Sequence, residues 1–160
     1  MGVEGEVWVQ GPTVARGYLA DGDASARTFV DGWLRTGDLG ALDEDGYLSL
    51  TGRIKNLINR GGEKISAEEV ENLILTHPAV LNVACVPVDH AVLGEQMCAC
   101  VVLRPGASLT LPELVSHLRG FELAKHKLPE HLRVFDTFPL SPVGKVSKKD
   151  LVAQLRGPEG

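Results

Sequence analysis

The 160-residue sequence predicts an α+β fold. Three segments in the later part of the chain begin with Ser or Thr followed three residues later by Glu or Asp, which is the capping-box pattern at helix starts. Apolar segments of strand length lie between them. Helices that alternate with strands in this way are typical of a compact domain built on a small sheet. We expect a central three-stranded sheet, a β-hairpin and about three helices.

The N-terminal part of the chain predicts short strands and turns with few helix signals. Residues 5–9 alternate like a strand, and residues 24–29 predict a short helical turn. Residues 32–38 predict an extended segment that ends in a Gly-Asp turn. The D-E-D-G run at 43–46 is a turn signal, and residues 47–51 predict the returning strand. We expect these strands to lack partners within the chain.

The segment 52–70 predicts a strand, a tight turn, a second strand and a helix start. Gly61 and Gly62 supply the positive φ angles that a two-residue hairpin turn requires. Ser66 and Glu69 form the first capping-box pattern. Glycines let a ligand approach the backbone, and nearby cations favour an anionic one. The basic residues around this hairpin are Arg53, Lys55, Arg60 and Lys64.

The remaining elements alternate between helix and strand along the chain. The segment 96–103 is almost wholly apolar, so we expect it to be the central strand of its sheet. The predicted order is a helix over 67–76, strands over 80–88 and 96–103, a helix that begins at the Thr110/Glu113 box, a strand over 132–135, and a helix from the Ser147/Asp150 box to about residue 155.

Composition excludes several classes of protein. Sixteen basic against twenty-one acidic residues give a net charge of -5, which argues against a general nucleic-acid binder. No apolar run approaches the ~18 residues of a membrane helix, and no signal peptide is recognisable. We therefore expect no nucleic-acid partner, no membrane association and a cytoplasmic location.

The cysteines and histidines indicate no metal site. The chain has three cysteines, an odd number that argues against a disulfide framework, and their spacing is not that of a metal site. We therefore expect buried, inert thiols at Cys85, Cys98 and Cys100. None of the five histidines has a Cys, Asp or Glu at a spacing that favours metal ligation.

Three motifs carry a resemblance to a known family. The run N-R-G-G-E-K-I-S-A-E-E-V-E-N at 59–72 resembles the hinge and glycine-loop motif of the adenylate-forming superfamily, which comprises acyl-CoA synthetases, adenylation domains of nonribosomal peptide synthetases, and luciferases. The residues of this run are most similar to the corresponding segment of aryl-acid adenylating enzymes of siderophore assembly and of related acyl-CoA ligases. Thr36-Gly37-Asp38 and the segment from Pro139 to Lys145 resemble two further motifs, and the resemblance covers residues 5–155.

The resemblance implies roles for four residues. Lys145 would serve adenylation, in which the acid's carboxylate attacks the α-phosphate of ATP and pyrophosphate leaves, because an ammonium there offsets developing charge. Asp38 would accept hydrogen bonds from the ribose hydroxyls. The alternative is that its side chain only caps the loop in an ordinary Asx turn. Arg53 would be a second nucleotide contact, or else a surface ion pair. Lys55 matches the hinge, although a solvated strand lysine would look the same.

The resemblance also implies a thiol channel. Gly61, Gly62 and Lys64 match the glycine loop that lines the path of the phosphopantetheine thiol, and a side chain at Gly62 would obstruct it. A plain hairpin tip needs glycine equally. The expected substrates and cofactors are ATP, Mg²⁺ held mainly by an N-terminal portion, and coenzyme A or phosphopantetheine as thiol acceptor.

Parts of the superfamily pattern are absent from this sequence, namely the Ser/Thr/Gly-rich loop ending in Pro-Lys-Gly, the aromatic-Gly-x-Thr-Glu segment and the acid pocket. We therefore expect residues 1–52 to be a β-rich remnant of the N-terminal body, 53–156 to be the C-terminal lid domain, and 157–160 to be a tail.

These features predict the C-terminal portion of an ATP-dependent carboxylic acid–thiol ligase that is inactive alone. Its partners would be the N-terminal portion of the enzyme and CoA or a carrier protein. Two alternatives stay open, a stand-alone non-catalytic binding module and one half of a split enzyme that acts with a separate N-terminal chain.

Overall fold

A computed structural model describes residues 2–156. The chain forms two compact units that divide between Lys55 and Asn56. The boundary predicted from sequence, between 52 and 53, lies in the same short segment, and the interpretation of residues 1–52 as the remnant of a larger body stays a prediction. The predicted tail at 157–160 lies outside the described residues.

The first unit is a four-stranded antiparallel sheet with one short helix. Its third strand is ten residues long and pairs with the other three, so the expectation of strands without partners is wrong. A strand of this length offers two edges along which short segments of the same chain can pair. The elements are β1 Gly5–Val9, α1 Gly22–Thr28, β2 Phe29–Val30, β3 Trp33–Leu42 and β4 Leu48–Arg53.

The Gly-Asp turn predicted at the end of 32–38 is also wrong. β3 continues through Gly37 and Asp38, with Gly37 at a φ of +71°. The register against β1 shifts between Glu6 and Trp8, so β3 carries extra residues at this point. Glycine accommodates the positive φ inside a bulged strand, and the bulge re-aims the neighbouring side chains without reversing the chain.

The second unit is built on a five-stranded sheet. As predicted, the strand β8 (Gly94–Leu103) is central. It pairs antiparallel with β7 (Val80–His90), parallel with β9 (His131–Val134), and through Arg60 and Gly94 with β5 (Leu57–Arg60) of the hairpin. The expected three-stranded sheet is therefore present and is extended by the hairpin. The elements are β5 Leu57–Arg60, β6 Glu63–Ser66, α2 Ala67–Ile74, β7 Val80–His90, β8 Gly94–Leu103, α3 Leu111–Arg119, β9 His131–Val134 and α4 Lys148–Arg156, with 3-10 turns at Ile54–Asn56 and Lys125–Lys127.

Helices cover both faces of this sheet. One apolar cluster joins α2 and α3 to one face and includes Cys85, whereas the other joins α4 to the opposite face and includes Cys98 and Cys100. All three thiols are buried, as predicted. Burial raises the pKa of Cys85 well above its usual range, so this thiol stays protonated and unreactive.

Two of the predicted helix starts show how the caps are satisfied. Thr110 and Glu113 form the full reciprocal capping box at α3. At α2, the Ser66 side chain accepts from Glu69 N, while the Glu69 carboxylate forms an ion pair with Lys127 at 2.6 Å. The mixed α+β class is confirmed. Among the helices of residues 2–156, none has the length and apolar character needed to cross a membrane.

The two units are expected to differ in protection from amide hydrogen exchange. Among the described residues of the first unit only Gly40 is buried, and apolar side chains such as Tyr47 and Leu50 are 73% and 65% exposed. The second unit encloses two apolar clusters. Because local opening is easiest where little apolar surface is buried, amides of β3 should exchange faster than those of β8. Exchange mass spectrometry on the chain tests this, and equal protection would contradict it.

Candidate functional site

Asp38 and Arg53 lie opposite each other on neighbouring strands of the first unit. Arg53 Nε is 2.6 Å from Asp38 Oδ1, and Arg53 Nη2 donates to the Thr36 carbonyl at 3.2 Å. Both side chains keep access to water, at 44% and 31% exposure. The structure thus brings together the two residues predicted to contact a nucleotide, in an ion pair that leaves Asp38 room for further hydrogen bonds.

Thr36 fixes the backbone beside this pair, a role that the sequence analysis did not assign. Its hydroxyl donates to the Val7 carbonyl at 2.8 Å and accepts from Asp38 N at 3.0 Å. The hydroxyl therefore ties the bulge of β3 to β1. A threonine directly before a glycine in a strand was the available signal for this arrangement.

An open groove of about 620 Å³ within the first unit is lined by Arg53 of this pair and by Thr36 and Gly37, but not by Asp38. Four of its lining residues are cationic and one is a carboxylate, so the groove favours a polar ligand that carries negative charge. Lys55, the predicted hinge, is exposed in the 3-10 turn and lines it. The charged lining residues are Glu6, Arg27, Arg35, Arg53 and Lys55.

The groove's carboxylate belongs to a second cluster that the sequence analysis missed. Glu6 accepts from Trp8 Nε1 at 2.9 Å and from Arg35 Nη2 at 3.0 Å. The Arg35 guanidinium lies 5.5 Å from the centre of the Trp8 ring. The hydrogen bond from Trp8, together with Arg35, lowers the pKa of Glu6, so this residue stays ionised. One sequence signal was available for this cluster: the alternation of residues 5–9 places Glu6 and Trp8 on the same face of β1.

The predicted hairpin turn is confirmed. Gly61 and Gly62 have φ angles of +59° and +94°, as a two-residue type I′ turn requires. Gly61 N donates to the Leu93 carbonyl at 2.7 Å, so a neighbouring loop holds the tip. A Cβ at Gly62 would meet nothing within 4 Å. Lys64 is exposed on β6. These features suit a plain hairpin tip as well as a channel wall, and the channel role stays a prediction.

A carboxylate outside the predicted set holds the hairpin on the sheet. Glu130 forms an ion pair with Arg60, the residue before the turn, and accepts from Met97 N at 3.0 Å. Because Met97 belongs to the central strand, Glu130 connects the hairpin directly to the most buried part of the sheet. Its position between strands distant in sequence gave no local signal.

Lys145 lies in a tight turn between β9 and α4. Ser141 N donates to the Lys145 carbonyl at 2.7 Å, and Lys145 N donates to Ser141 Oγ at 3.2 Å. Gly144 has a φ of +78° and closes the turn through its N–H to the Ser141 carbonyl. The Lys145 side chain is exposed, and no described residue forms an ion pair with it. Its ammonium is therefore free to reach an anionic partner.

The end of this turn differs from the predicted capping box. Ser147 Oγ accepts from Asp150 N at 3.4 Å, as a cap should. Its own backbone N–H, however, donates to the Pro139 carbonyl at 2.9 Å, whereas in a capping box it would donate to the Asp150 carboxylate. The bond to Pro139 closes the base of the turn that carries Lys145.

No site for a resident metal ion is evident in the described part of the chain. Within residues 2–156, no group of three or more His, Cys, Asp or Glu side chains is arranged to hold one. The Mg²⁺ that the resemblance implies does not fit these residues, and its assignment mainly to an N-terminal portion stays a prediction. The nucleotide contacts expected of Asp38, Arg53 and Lys145 stay predictions.

Comparisons with known proteins show the family. A sequence profile of the AMP-binding enzyme C-terminal domain matches residues 69–145. The chain is 48% identical over 157 residues to a salicylyl-CoA synthase / salicylate adenylyltransferase of Streptomyces sp., covering 98% of this chain and 28% of that protein. The chain belongs to the adenylate-forming superfamily and matches the C-terminal portion of its enzymes. The predicted superfamily is thus confirmed.

Further members of the adenylate-forming superfamily show the same partial coverage. A medium-chain fatty-acid–CoA ligase of Escherichia coli is 41% identical over 160 residues, covering 96% of this chain and 28% of the ligase. The o-succinylbenzoate CoA synthetase of Bacillus subtilis, solved with its acyl-adenylate intermediate, superposes with a TM-score of 0.86 at 35% identity, covering 93% of this chain and 30% of the synthetase. The chain therefore spans about 28% of the length of the curated relatives it matches.

Proposed function

We propose that this chain acts as the C-terminal portion of an AMP-forming ligase that activates a carboxylic acid as its acyl-adenylate and passes it to a pantetheine thiol. The observation that carries the proposal is the Asp38–Arg53 ion pair, whose Arg53 lines a cation-rich groove. A carboxylate that is oriented by a guanidinium and still accessible is suited to a ribose diol. The chain's similarity to the C-terminal portion of acid-activating ligases supports this proposal.

In the adenylation step, Asp38 would accept hydrogen bonds from the ribose hydroxyls while Arg53 orients it and contacts nucleotide oxygens. Lys145 would place its ammonium at the α-phosphate, where negative charge develops as the carboxylate attacks and pyrophosphate leaves. The free ammonium and the closed turn beneath it support this role. Asp38 and Lys145 belong to different units, so their meeting depends on how the units are arranged during catalysis.

In the thiol step, the Gly61–Gly62 hairpin would line the path of the pantetheine arm. Rotation at Lys55 would exchange the face that carries Lys145 for the face that carries the hairpin. The division of the two units directly after Lys55 supports a hinge at this position. Coenzyme A or a carrier protein would supply the thiol.

Acid-dependent ATP–pyrophosphate exchange tests this function. In an enzyme that carries this chain as its C-terminal portion, Asp38→Ala should raise the KM for ATP, because the ribose hydroxyls lose a charged acceptor worth about 1.5–3 kcal/mol. Asp45→Ala in the exposed β3–β4 turn is the matched control and should leave KM unchanged. The 160-residue chain alone should show no exchange. An unchanged KM for Asp38→Ala, or exchange by the chain alone, would contradict the proposal.

A further inference from the structure

A half-buried carboxylate on α2 joins three elements of the second unit. Glu71 Oε1 accepts from Cys85 N of β7 at 2.6 Å and lies 2.7 Å from Nζ of Lys148, the first residue of α4. β7 is the outer strand of the sheet, and α2 and α4 pack on opposite faces. A single oxygen at the sheet edge therefore connects both helix layers to the strand.

The contact between these two side chains is shielded from water. Glu71 and Lys148 are only 14% and 27% exposed. The Lys148 ammonium has no hydrogen-bond acceptor among the described residues, so its attraction to Glu71 is an ion-pair contact. Removing one member of a partly desolvated ion pair leaves the other charge buried without a partner, which is unfavourable in free energy. The position of each of these two side chains therefore depends on the other.

The segment between this ion pair and Lys145 has little freedom. Lys148 follows Lys145 by three residues. Between them, Ser147 N is bonded to the Pro139 carbonyl at 2.9 Å, and the Lys145 carbonyl accepts from Ser141 N at 2.7 Å. A displacement at the start of α4 would therefore reach the turn directly.

We propose that Glu71 and Lys148 are positioning residues for Lys145, holding its turn in register with the sheet edge. The inference rests on the adenylation role proposed for Lys145. Glu71→Gln would leave the Lys148 ammonium unpaired, and this long side chain would turn outward to reach water. The start of α4 would move with it. Because a misplacement of about 1 Å can cost about 10²-fold in rate, we expect a loss of that order in adenylation.

The same strand and helix supply a matched control. Asp89 of β7 and Arg156 of α4 form an ion pair at 2.8 Å, but their side chains are 78% and 66% exposed. Such exposed pairs contribute little. Asp89→Asn removes one β7–α4 ion pair at the opposite end of the helix from Lys145, so it should leave both half-reactions near normal.

The kinetic test uses an enzyme that carries this chain. Glu71→Gln should slow pyrophosphate exchange while thioester formation from pre-made acyl-adenylate survives, and Lys148→Arg, which keeps the charge, should retain most of the exchange activity. In a Lys145→Ala background, Glu71→Gln should cause no further loss of adenylation rate, because both substitutions remove the same contribution, that of the Lys145 ammonium. A purely structural role predicts equal loss in both half-reactions and an undiminished loss in that background, and either result would overturn the proposal.

A second measurement on the 160-residue chain does not depend on catalysis. Glu71→Gln should accelerate hydrogen exchange at the amides of Gly144, Lys145 and Ser147, whereas Asp89→Asn should not. Unchanged exchange at these amides would overturn the positioning role even if the enzyme were slowed. By contrast, a Lys145→Ala enzyme of normal activity would refute the proposed function while leaving the exchange result intact, so the two failures are distinguishable.

Discussion

Lys145→Ala is expected to slow acid-dependent pyrophosphate exchange by about 10²–10³-fold in an enzyme that carries this chain, if the ammonium stabilises charge as an oxyanion-hole donor does. The structure favours a clean result, because the side chain is exposed and its backbone is held by Ser141 independently of the ammonium. Folding should therefore be unaffected. Thioester formation from pre-made acyl-adenylate should survive, since pyrophosphate has already left.

The neighbouring Lys149 supplies the control for this prediction. Lys149 is an exposed lysine in the first turn of α4, so Lys149→Ala removes the same charge only four positions along the chain. Exchange by that variant should stay near normal. If both substitutions slow exchange alike, the effect belongs to the general positive charge of this region, and the assignment of Lys145 to the α-phosphate fails.

Much of the second unit was predictable because its signals are local. The hairpin required positive φ at Gly61 and Gly62, the cap at Thr110 needs only neighbouring residues, and the apolar run at 96–103 required a central strand. In the first unit the local signals misled. A glycine before Asp38 indicates a turn when considered alone, whereas pairing of β3 with both β1 and β4 keeps the chain extended and turns the glycine into a bulge.

The site residues likewise divide into those that a local motif indicates and those whose contacts are distant in sequence. Asp38 and Arg53 were named from short motifs, but their direct pairing depends on the register of β3 and β4, which no single motif specifies. The carboxylates of Glu71 and Glu130, which form ion pairs near the Lys145 turn and the hairpin turn, were not predicted at all. Glu71 accepts from a backbone N–H on β7, 14 residues away, and Glu130 accepts from one on β8, 33 residues away. Contacts at such separations form only when the sheet is assembled, so no local sequence pattern predicts them.

The hairpin turn and the Lys145 turn of the second unit have similar structural features. Each is a glycine-containing turn with an exposed tip, and each has an ion pair within three residues whose carboxylate also accepts from a strand N–H. Exposed tips on fixed bases are suited to entering a partner site in a defined orientation. If the two steps of the proposed reaction use the two turns in succession, a change at one tip should impair one step and spare the other.

Gly62→Leu provides the complementary test and should block thioester formation while pyrophosphate exchange stays near normal. A Cβ at this position would meet nothing within 4 Å inside the chain, so the added side chain projects from the tip. Any obstruction it causes must therefore arise against a ligand or a partner surface. The φ of +94° adds strain, which costs an L-residue about 1–2 kcal/mol.

Gly106→Leu separates obstruction from strain. Gly106 lies in another turn of the same unit, has a φ of +75°, and likewise offers open space to a Cβ. The variant thus carries a similar backbone strain at a site with no proposed role, and both half-reactions should survive it. Thioester formation from pre-made acyl-adenylate, measured for both variants, decides the matter. If Gly62→Leu transfers as well as Gly106→Leu, the hairpin does not line the thiol's path and its glycines serve only the turn.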